Sequence, residues 1–494
     1  MKYTSTRSSQ NIESAQAITQ GISEDGGLFV PQEFPRLSAE RLERMKAMTY
    51  KDRAVEVLSM YLTDFSEAEL RRCVEEAYTG TFDGENPAPL VEIAPGMHIL
   101  ELWHGPTCAF KDMALQLLPH LLTVSASKTA PGRTMVILVA TSGDTGKAAL
   151  DGFADVKGTR IIVFYPQHGV SPMQELQMTT QKGDNVAVCA IRGNFDDAQS
   201  AVKEIFADEA MKAELESAGM EFSSANSINF GRLVPQIVYY VSAYCDLLKS
   251  GKLAEGESFN VAVPTGNFGN ILAAEYARRM GVPIARLICA SNRNNILTDF
   301  IRTGVYDRKR PFYTTSSPSM DILISSNLER LLYHLYGENP DAVRTLMEQL
   351  KKDGRYEISA EVLKRLQSEF SGGWCDDRAT AETIGRIFRE HHYLCDTHTG
   401  VALHVYQQYL EETGDRTPCV IASTASPYKF AASVLPAVDD GPVPQDGFAM
   451  LKRLSEVTGT AIPAPLANLQ NCPVLHRSCV DRDGMKAFIR EFLR

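Results

Sequence analysis

The amino-acid sequence predicts an α/β protein built on a mostly parallel sheet with helices on both faces. Three stretches show the same order of apolar strand, Gly- or Ser-rich turn and helix, and their strands cover residues 135–140, 259–264 and 419–423. Two further apolar runs, 160–166 and 286–291, are typical of strands. Strands that alternate with helices form βαβ units, and such sheets bind ligands at the carboxyl ends of their strands. We therefore expect a functional site in the turns that follow these strands.

The rest of the chain indicates two further regions. A length of 494 residues is enough for about three domains. Residues 1–95 are richer in charged helical segments and end in the turn-prone GENPAPL, which predicts a separate N-terminal domain. Between residues 296 and 400 the strand pattern gives way to charged helical stretches, which predicts a helical insertion or extension.

Charge and hydropathy exclude several classes of function. The chain carries 50 Lys and Arg against 61 Asp and Glu, a net charge of −11, which does not suit binding to a nucleic-acid backbone. Its longest apolar runs are far shorter than the ~20 residues of a membrane-spanning helix. The first residues have neither an apolar leader core nor an Arg-rich transit pattern. A cytoplasmic protein that binds neither nucleic acid nor membranes is therefore expected.

The ten cysteines do not indicate a metal site. No C-x-x-C motif occurs, so most of them are expected to be small buried hydrophobic residues. Cys395 and His398 form one C-x-x-H pair, but no second pair lies nearby, and a structural zinc normally takes four ligands. No metal is therefore expected.

The turn PTGNFGN, residues 264–270, is a candidate phosphate site. It stands between a strand and a helix, its glycines allow backbone N–H groups to approach an anion, and the helix dipole favours negative charge there. It does not match the G-x-G-x-x-G dinucleotide motif. From these residues alone, a phosphate cradle and an ordinary strand-to-helix turn are equally good interpretations.

A second Gly-rich turn, TSGDTGK at residues 141–147, resembles a nucleotide-binding P-loop only superficially. Thr141 stands where the first glycine of G-x-x-x-x-G-K-[ST] belongs, and Ala148 follows Lys147 where Ser or Thr is required. Nucleotide hydrolysis is therefore disfavoured, and a nucleotide-binding module is the weakest of the alternatives.

Two basic residues stand at predicted helix starts, where cations are normally disfavoured. An apolar stripe over residues 110–118 predicts a helix with Lys111 in its first turn. That lysine is either solvated or engaged elsewhere, for example in a Schiff base with an aldehyde cofactor. Arg232 opens another predicted helix after the capping-type residues Ser227 and Asn229. It either meets an anionic ligand bidentately or pairs with a nearby carboxylate.

Taken together, these segments resemble the threonine synthase family, pyridoxal 5′-phosphate (PLP) enzymes of the tryptophan-synthase-β fold, or fold type II. The resemblance covers nearly the whole chain. Its motifs, in chain order, are YTSTR (3–7), SEDGGLFVP (23–31), ELWHGPTCAFKD (101–112), TSGDTG (141–146), VSPMQELQMTT (170–180), NFDDAQ (194–199), SINFGR (227–232), PTGNFGN (264–270), SPSMDILISSNLERLL (317–332) and STASPYKF (423–430). The resemblance implies a large PLP-binding domain over residues 96–125 and 232–494, which includes the helical insertion, and a small domain over residues 126–231.

The resemblance also implies roles for individual residues. Lys111 corresponds to the catalytic lysine that carries PLP as a Schiff base. The residues implied to bind the cofactor are Lys111, Asp144 near the ring, Gly266, Asn267, Phe268, Gly269 and Asn270 around the phosphate, and Thr424 facing the pyridine nitrogen. The residues implied to bind the substrate are Thr141, Ser142 and Thr145 in one loop, and Ser227, Asn229 and Arg232 in the S-x-N-x-x-R pattern that holds a phosphate.

The reaction implied by the resemblance converts O-phospho-L-homoserine and water into L-threonine and phosphate. It needs two phosphate sites, one for the cofactor and one for the substrate, whereas a related PLP dehydratase needs only the first. A synthase-like phospho-lyase that releases a 2-oxo acid shares the motifs and stays open as an alternative, as does a non-catalytic PLP-binding protein. A monomer or a homodimer is expected.

The chain departs from the family pattern at three positions. Ser426 and Tyr428 stand where the family often has His and Ala, and Thr397 stands where Pro is common. None of the three is the lysine or part of the phosphate loop. The departures therefore bear on specificity and not on the use of the cofactor.

Overall fold

A computed structural model describes residues 1–141 and 143–494. Its strands are β1 Tyr3–Ser5, β2 Phe29–Pro31, β3 Leu90–Ala94, β4 Met97–Glu101, β5 Thr134–Ala140, β6 Thr159–Pro166, β7 Val186–Ile191, β8 Met220–Ser223, β9 Phe259–Pro264, β10 Ile284–Ser291, β11 Val305–Asp307, β12 Arg355–Glu357, β13 Phe370–Trp374, β14 Cys419–Ser423 and β15 Ser478–Val480. Its helices are α1 Ser14–Gln20, α2 Ala39–Ala47, α3 Tyr50–Tyr61, α4 Glu67–Tyr78, α5 Asp112–Leu115, α6 Leu118–Thr129, α7 Asp144–Phe153, α8 Pro172–Thr179, α9 Phe195–Phe206, α10 Glu209–Ser217, α11 Phe230–Lys249, α12 Gly269–Met280, α13 Ile296–Thr303, α14 Leu328–Leu335, α15 Pro340–Asp353, α16 Ala360–Glu369, α17 Asp377–His391, α18 Thr397–Thr413, α19 Ala431–Val438, α20 Gly447–Thr458, α21 Ala464–Ala467 and α22 Met485–Leu493. Within this part of the chain, none of the helices has the length and apolar character needed to cross a membrane.

The first sheet, as far as the described residues show it, has six strands in the order β13-β10-β9-β14-β4-β3. Its neighbours run parallel except for β3 and β4, which form an antiparallel pair. On the central strand β14, Ile421 is aligned with Ala262 of β9 on one side and with Ile99 of β4 on the other. Every residue of β9 and β14 is buried, as expected for parallel strands that helices cover on both faces. The predicted α/β class and the strands predicted for this sheet are confirmed.

The second sheet has the strand order β15-β7-β6-β5-β8, and all of these neighbours are parallel. Strands β5 to β8 come from residues 126–231, the region assigned to the small domain. Strand β15 comes from the end of the chain, which the sequence interpretation placed with the large domain at 232–494. Helix α22 follows it, and its residues Met485, Ile489 and Leu493 pack in the apolar cluster of this sheet. With only the three residues SCV, β15 is too short to give a strand pattern in the sequence.

The N-terminal region shares its core with the first sheet. Leu58 of helix α3 belongs to the same apolar cluster as Val261 of strand β9. Helix α3 also packs on α11, where the buried guanidinium of Arg53 lies 2.6 Å from the Asp246 carboxylate. The predicted boundary at residue 95 falls between the two paired strands β3 and β4. The N-terminal helices therefore share one buried apolar cluster with the first sheet.

The region from 296 to 400 is mainly helical, as the sequence predicts. It also holds the short antiparallel pair β11–β12 and strand β13, which lies at the edge of the first sheet beside β10. Strand β13 reads FSGGW, and because glycine and serine are poor strand formers its sequence did not predict a strand. The chain thus leaves the first sheet after β10 and returns to it at β13.

Candidate active site

The three predicted strand–turn–helix units are confirmed. Strand β5 leads into α7, β9 leads into α12, and β14 leads through a 3₁₀ turn at Pro427–Phe430 into α19. In the first turn, the Thr141 hydroxyl accepts hydrogen bonds from the N–H groups of Gly143 (3.0 Å) and Gly146 (2.9 Å), which closes the loop. All three turns lie at the carboxyl ends of their strands, where parallel sheets place ligands.

Lys111 lies at the N-terminal end of helix α5. The apolar stripe predicted one continuous helix over residues 110–118. The structure has a break there instead, because α5 ends at Leu115 and α6 begins at Leu118, with Pro119 in its first turn. Proline is tolerated at a helix start but not in a helix interior, which explains the break. Just before Lys111, the Phe110 N–H donates to the Thr424 carbonyl oxygen at 2.8 Å. The lysine is thereby fixed to the end of strand β14.

The Lys111 ammonium lies in a buried polar cluster around Asp144. Its Nζ is 3.4 Å from Asp144 Oδ2 and 3.2 Å from Ser319 Oγ, and that hydroxyl is 3.1 Å from the same Oδ2. On the other side of the carboxylate, Lys429 Nζ lies 3.0 Å from Oδ1, and Gln174 Nε2 donates to Oδ1 at 3.0 Å. The side chains of Lys111 and Asp144 are 11% and 7% exposed. The buried Asp144 carboxylate is thus the counter-ion of both Lys111 and Lys429.

Burial and charge set the ionisation of this cluster. Burial lowers the pKa of Lys111; Asp144 opposes that shift, while Lys429 and Arg232 add to it. Burial alone would raise the pKa of Asp144, but Lys429 and Lys111 outweigh it and hold that pKa well below its usual range. The cluster therefore combines an ionised carboxylate with a lysine that loses its proton at a lower pH than a free lysine does, which suits a general base.

The PTGNFGN loop is held in place by a later segment of the chain. Ser325 Oγ donates to the Gly266 carbonyl oxygen at 2.7 Å. Asn327 donates to the Asn267 carbonyl oxygen from its backbone N–H (3.0 Å) and from its Nδ2 (3.1 Å). A Cβ at position 266 would lie 2.7 Å from the Ser319 carbonyl oxygen, so this close approach requires glycine. The loop conformation therefore depends on contacts that are distant in the sequence.

The end of this loop is the start of helix α12. Phe268 has a φ of +64°, a left-handed conformation that is uncommon outside glycine, and Gly269 is the first helical residue. The first N–H groups of a helix have no intrahelical partner and attract anions. The Nδ2 of Asn270 is buried without an acceptor among the described residues, and its Oδ1 accepts from the Tyr240 hydroxyl. The PTGNFGN loop thus offers hydrogen-bond donors and carries no charged side chain.

Arg232 lies in the first turn of helix α11, and Asn229 is the cap of that helix, as predicted. The Asn229 side chain accepts from the Gly231 N–H at 2.8 Å, and its amide donates to two backbone carbonyl groups. Arg232 Nη1 donates to the Ala225 carbonyl oxygen at 2.7 Å, while its Nε has no partner within residues 1–141 and 143–494. Burial lowers the pKa of Arg232 to about 10, and no described carboxylate pairs with it. A buried guanidinium of this kind favours an anionic ligand.

The other residues predicted for the site have varied surroundings. The Ser227 carbonyl oxygen accepts from Asn327 Nδ2 at 3.2 Å, so one amide contacts both this segment and the PTGNFGN loop. Thr424 is buried directly after strand β14, and Thr145 is half-buried in the first turn of α7. Ser142 lies outside the described residues.

Three residues of the cluster were not predicted, namely Gln174, Ser319 and Lys429. Each stands in a segment that carries the family resemblance, but none has a local pattern that marks it as functional. Lys429 had the one usable signal, because a lysine between two aromatic residues just after a buried strand is unusual. Its carboxylate partner, Asp144, however, lies 285 positions earlier in the chain, and only the fold brings the two together.

Among the described residues, no group of three His, Cys, Asp or Glu side chains is placed to hold a metal ion. His398 Nδ1 is 2.6 Å from Asp396 Oδ2, and its Nε2 accepts from the Ser319 N–H at 3.2 Å. His398 therefore supports the turn that carries Ser319, and Cys395 is a buried free cysteine.

Comparison with known protein families identifies the family to which the chain belongs. Residues 82–424 match the model described as pyridoxal-phosphate dependent enzyme, residues 2–78 match threonine synthase N terminus, and residues 399–471 match threonine synthase, C-terminal. The chain belongs to the threonine synthase family of PLP-dependent enzymes. The cofactor class expected from the sequence is thereby confirmed.

Individual members of the threonine synthase family resemble the chain over most of its length. Threonine synthase-like 1 from Homo sapiens is 38% identical over 478 residues, which are 95% of this chain, and the chain spans about 62% of that relative's length. Threonine synthase from Pseudomonas aeruginosa is 38% identical over 436 residues, 88% of this chain and 90% of that protein. The crystal structure of PLP-bound threonine synthase from Brucella melitensis matches with a TM-score of 0.89 and 37% identity over 100% of both chains. The expected PLP fold type II is confirmed.

Proposed function

We propose that this threonine synthase family member converts O-phospho-L-homoserine and water into L-threonine and inorganic phosphate. One observation carries the proposal. Beside the cluster of Lys111 and Asp144, the chain has two separate places for an anion, the loop at 264–270 and the buried guanidinium of Arg232. A PLP enzyme that acts on an amino acid without a phosphate needs only the first. Arg232, buried without a carboxylate partner in the described chain, therefore supports a phosphorylated substrate.

The residues present fit PLP as the cofactor. Lys111 would offer its buried amine for covalent attachment, Gly266, Asn267, Phe268, Gly269 and Asn270 would hold the cofactor phosphate, and Thr424 would offer a hydroxyl to the ring nitrogen. The unpaired Nδ2 of Asn270 and the lack of a side chain at Gly266 support this assignment. When bound, PLP supplies the electron sink for the reaction at the substrate carbon atoms. A hydroxyl at Thr424 does not keep the ring nitrogen protonated as a carboxylate would, which limits transamination.

We assign the substrate to the residues that the family resemblance implies. Arg232 and Ser227 hold its phosphate, and Thr141, Ser142 and Thr145 hold its carboxylate. The planar guanidinium of Arg232 matches two phosphate oxygens at once. The Asn229 side chain is occupied as a helix cap, so its contribution is the position of Arg232. Asn327 joins the Ser227 segment to the cofactor loop and so sets the spacing of the two anion sites.

Lys111 is the base that moves protons in this proposal. Its lowered pKa means that the neutral amine forms at a lower pH than for a free lysine. The Ser319 hydroxyl accepts from Lys111 Nζ and donates to Asp144 Oδ2, so it helps to orient the lysine nitrogen beside the carboxylate. Asp144 stays ionised and stabilises the ammonium form once Lys111 has accepted a proton.

The experiment is to incubate the PLP-loaded protein with O-phospho-L-homoserine, measure phosphate release and identify the organic product in the same sample. Threonine in equal amount to phosphate is the expected result. Phosphate with 2-oxobutanoate as the main product would replace the proposal by a phospho-lyase. No phosphate from a PLP-loaded protein would reject both activities.

The phospho-lyase is the second candidate because it would use the same lysine, the same cofactor loop and the same phosphate-binding arginine. The chain is 38% identical both to threonine synthase-like 1 and to threonine synthase. The departures from the family pattern do not decide between them. The Tyr428 hydroxyl bonds to Thr460, the Ser426 hydroxyl caps the 3₁₀ turn, and the Thr397 hydroxyl donates to the Ser316 carbonyl oxygen at 2.7 Å. All three are engaged away from Lys111.

A further inference from the structure

We propose that Lys429 is a positioning residue that holds the Asp144 carboxylate in place for Lys111. Its side chain is fully buried, and its Nζ lies 3.0 Å from Asp144 Oδ1. The same ammonium donates to the Thr107 carbonyl oxygen at 2.8 Å. A buried ammonium is stable only when it is paired and hydrogen-bonded, so these two acceptors fix the position of the Lys429 side chain.

The backbone around Lys429 maintains this geometry. The Lys429 N–H donates to the Ser426 carbonyl oxygen at 3.1 Å, and the Ser426 N–H donates to the Cys108 carbonyl oxygen at 3.0 Å. Cys108 lies three residues before Lys111 in the chain. The segment that carries Lys429 is therefore tied to the segment that carries Lys111, and the two ammonium groups approach the carboxylate from a common support.

The two oxygens of Asp144 have different partners. Oδ1 accepts from Lys429 and Gln174, both at 3.0 Å. Oδ2 faces Lys111 Nζ at 3.4 Å and Ser319 Oγ at 3.1 Å. Because Oδ1 is satisfied by groups outside the proposed proton transfer, Oδ2 is oriented toward Lys111. Without Lys429, the carboxylate loses the charge that fixes its far side.

Charge gives Lys429 a second effect on Lys111. The charged groups that act on Lys111 most strongly are Asp144, Lys429 and Arg232. Adjacent Asp112 is bonded to the preceding loop, and burial raises its pKa to about 6. With Lys429 in place, the negative charge of Asp144 is shared between two cations. When Lys429 is removed, the Lys111 nitrogen no longer has a second positive charge nearby and still faces the negative charge of Asp144. The protonated form of that nitrogen is therefore favoured.

The test is the pH midpoint of the absorbance of enzyme-bound PLP, which reports the proton on the nitrogen that joins PLP to Lys111. Lys429→Met is compared with the wild-type protein and with Lys429→Arg. The control is Lys147→Met, which removes another buried lysine, paired with Asp151 at 3.0 Å outside the cluster. Because Lys429→Met leaves the Thr107 carbonyl oxygen without its donor, Lys429→Gln, which keeps a donor, is measured beside it.

We expect the midpoint to rise by about one pH unit in Lys429→Met and Lys429→Gln. Lys429→Arg keeps the charge, so its midpoint should stay close to the wild-type value, as should that of Lys147→Met. An unchanged midpoint in the two neutral variants, or an equal shift in Lys147→Met, overturns the proposal. A merely structural role predicts lower PLP occupancy with no change of midpoint, and that result overturns it too.

This inference rests on the proposed attachment of PLP at Lys111. Borohydride reduction followed by peptide mapping identifies the lysine that carries PLP and tests that premise separately. The midpoint is measured without substrate, so it can be read whether the enzyme forms threonine or 2-oxobutanoate.

Discussion

Two loops of this protein have the same architecture and opposite electrostatic character. The loop at residues 141–146 joins β5 to α7, and the loop at residues 264–270 joins β9 to α12. The first carries the ionised carboxylate of Asp144, which attracts the ammonium groups of Lys111 and Lys429. The second carries no charged side chain and offers amide donors. A single residue in the first helical turn thus changes what a strand–loop–helix unit can hold.

The physical reason is the start of the helix that follows each loop. The first turn of a helix favours negative charge. In α7 that negative charge belongs to the protein, because Asp144 is the first helical residue, and the ammonium groups of Lys111 and Lys429 face it. In α12 the first turn has no acidic residue, so the anion must come from outside. The comparison predicts that a substitution in one loop should impair proton transfer and a substitution in the other should impair phosphate binding.

The largest effect is expected for Asp144→Asn. It removes the charge that stabilises the Lys111 ammonium, so kcat should fall about 100-fold while PLP binding changes little. The pH midpoint of bound PLP should fall, because an anion beside the nitrogen is lost. Steady-state kinetics and a pH titration of PLP absorbance check this, with Asp151→Asn on the same helix as the control. Unchanged turnover in Asp144→Asn would remove the proton-transfer role from this loop.

Gly266→Ala should distort the loop at residues 264–270. A Cβ there would meet the Ser319 carbonyl oxygen at 2.7 Å, so the backbone around the phosphate donors must shift. We expect PLP affinity to fall about tenfold, the effect of one or two weakened hydrogen bonds. Equilibrium titration of the PLP-free protein with PLP measures this, and Gly84→Ala, which adds a methyl group in open space, is the control. Wild-type affinity in Gly266→Ala would contradict the assignment of this loop to the cofactor phosphate.

The smallest effect is expected for Asn327→Ala. Its amide bonds to the carbonyl oxygens of Asn267 and Ser227, so its loss should loosen both anion sites together. PLP affinity and the KM for O-phospho-L-homoserine should each worsen about threefold to tenfold, as for a lost neutral hydrogen bond. Asn468→Ala, which changes an exposed asparagine at the start of a 3₁₀ turn, is the control. If only one of the two constants changed, Asn327 would not be the link between the sites.

Much of this architecture can be predicted from the sequence because it is local. The apolar runs of β5, β9 and β14 and the Gly-rich turns after them have short-range patterns, and the structure has each where it was predicted. The cap at Asn229 is equally local, since a short polar side chain beside the first helical turn needs no distant partner. The motifs that resemble the family then placed the site in these turns.

The remainder depends on contacts between distant parts of the chain. Lys429 and Ser319 reach Asp144 only because strands of the two sheets end near one another, and no local periodicity reports that. The strand β15 joins the second sheet through three residues that have no strand pattern of their own. The N-terminal helices look like a domain in the sequence, but their apolar faces pack on α6 and α11 and belong to the same apolar cluster as the first sheet.

The most direct test of the central claim, two anion sites with separate tasks, is the behaviour of Arg232→Ala. We predict that this variant binds PLP with wild-type affinity, while kcat/KM for O-phospho-L-homoserine falls about 100-fold, the effect of losing a charge-assisted pair of hydrogen bonds. Arg232→Lys should recover part of that loss, because it restores the charge without the planar fork. Turnover that is unaltered in Arg232→Ala, or PLP binding that is lost together with turnover, would contradict the account.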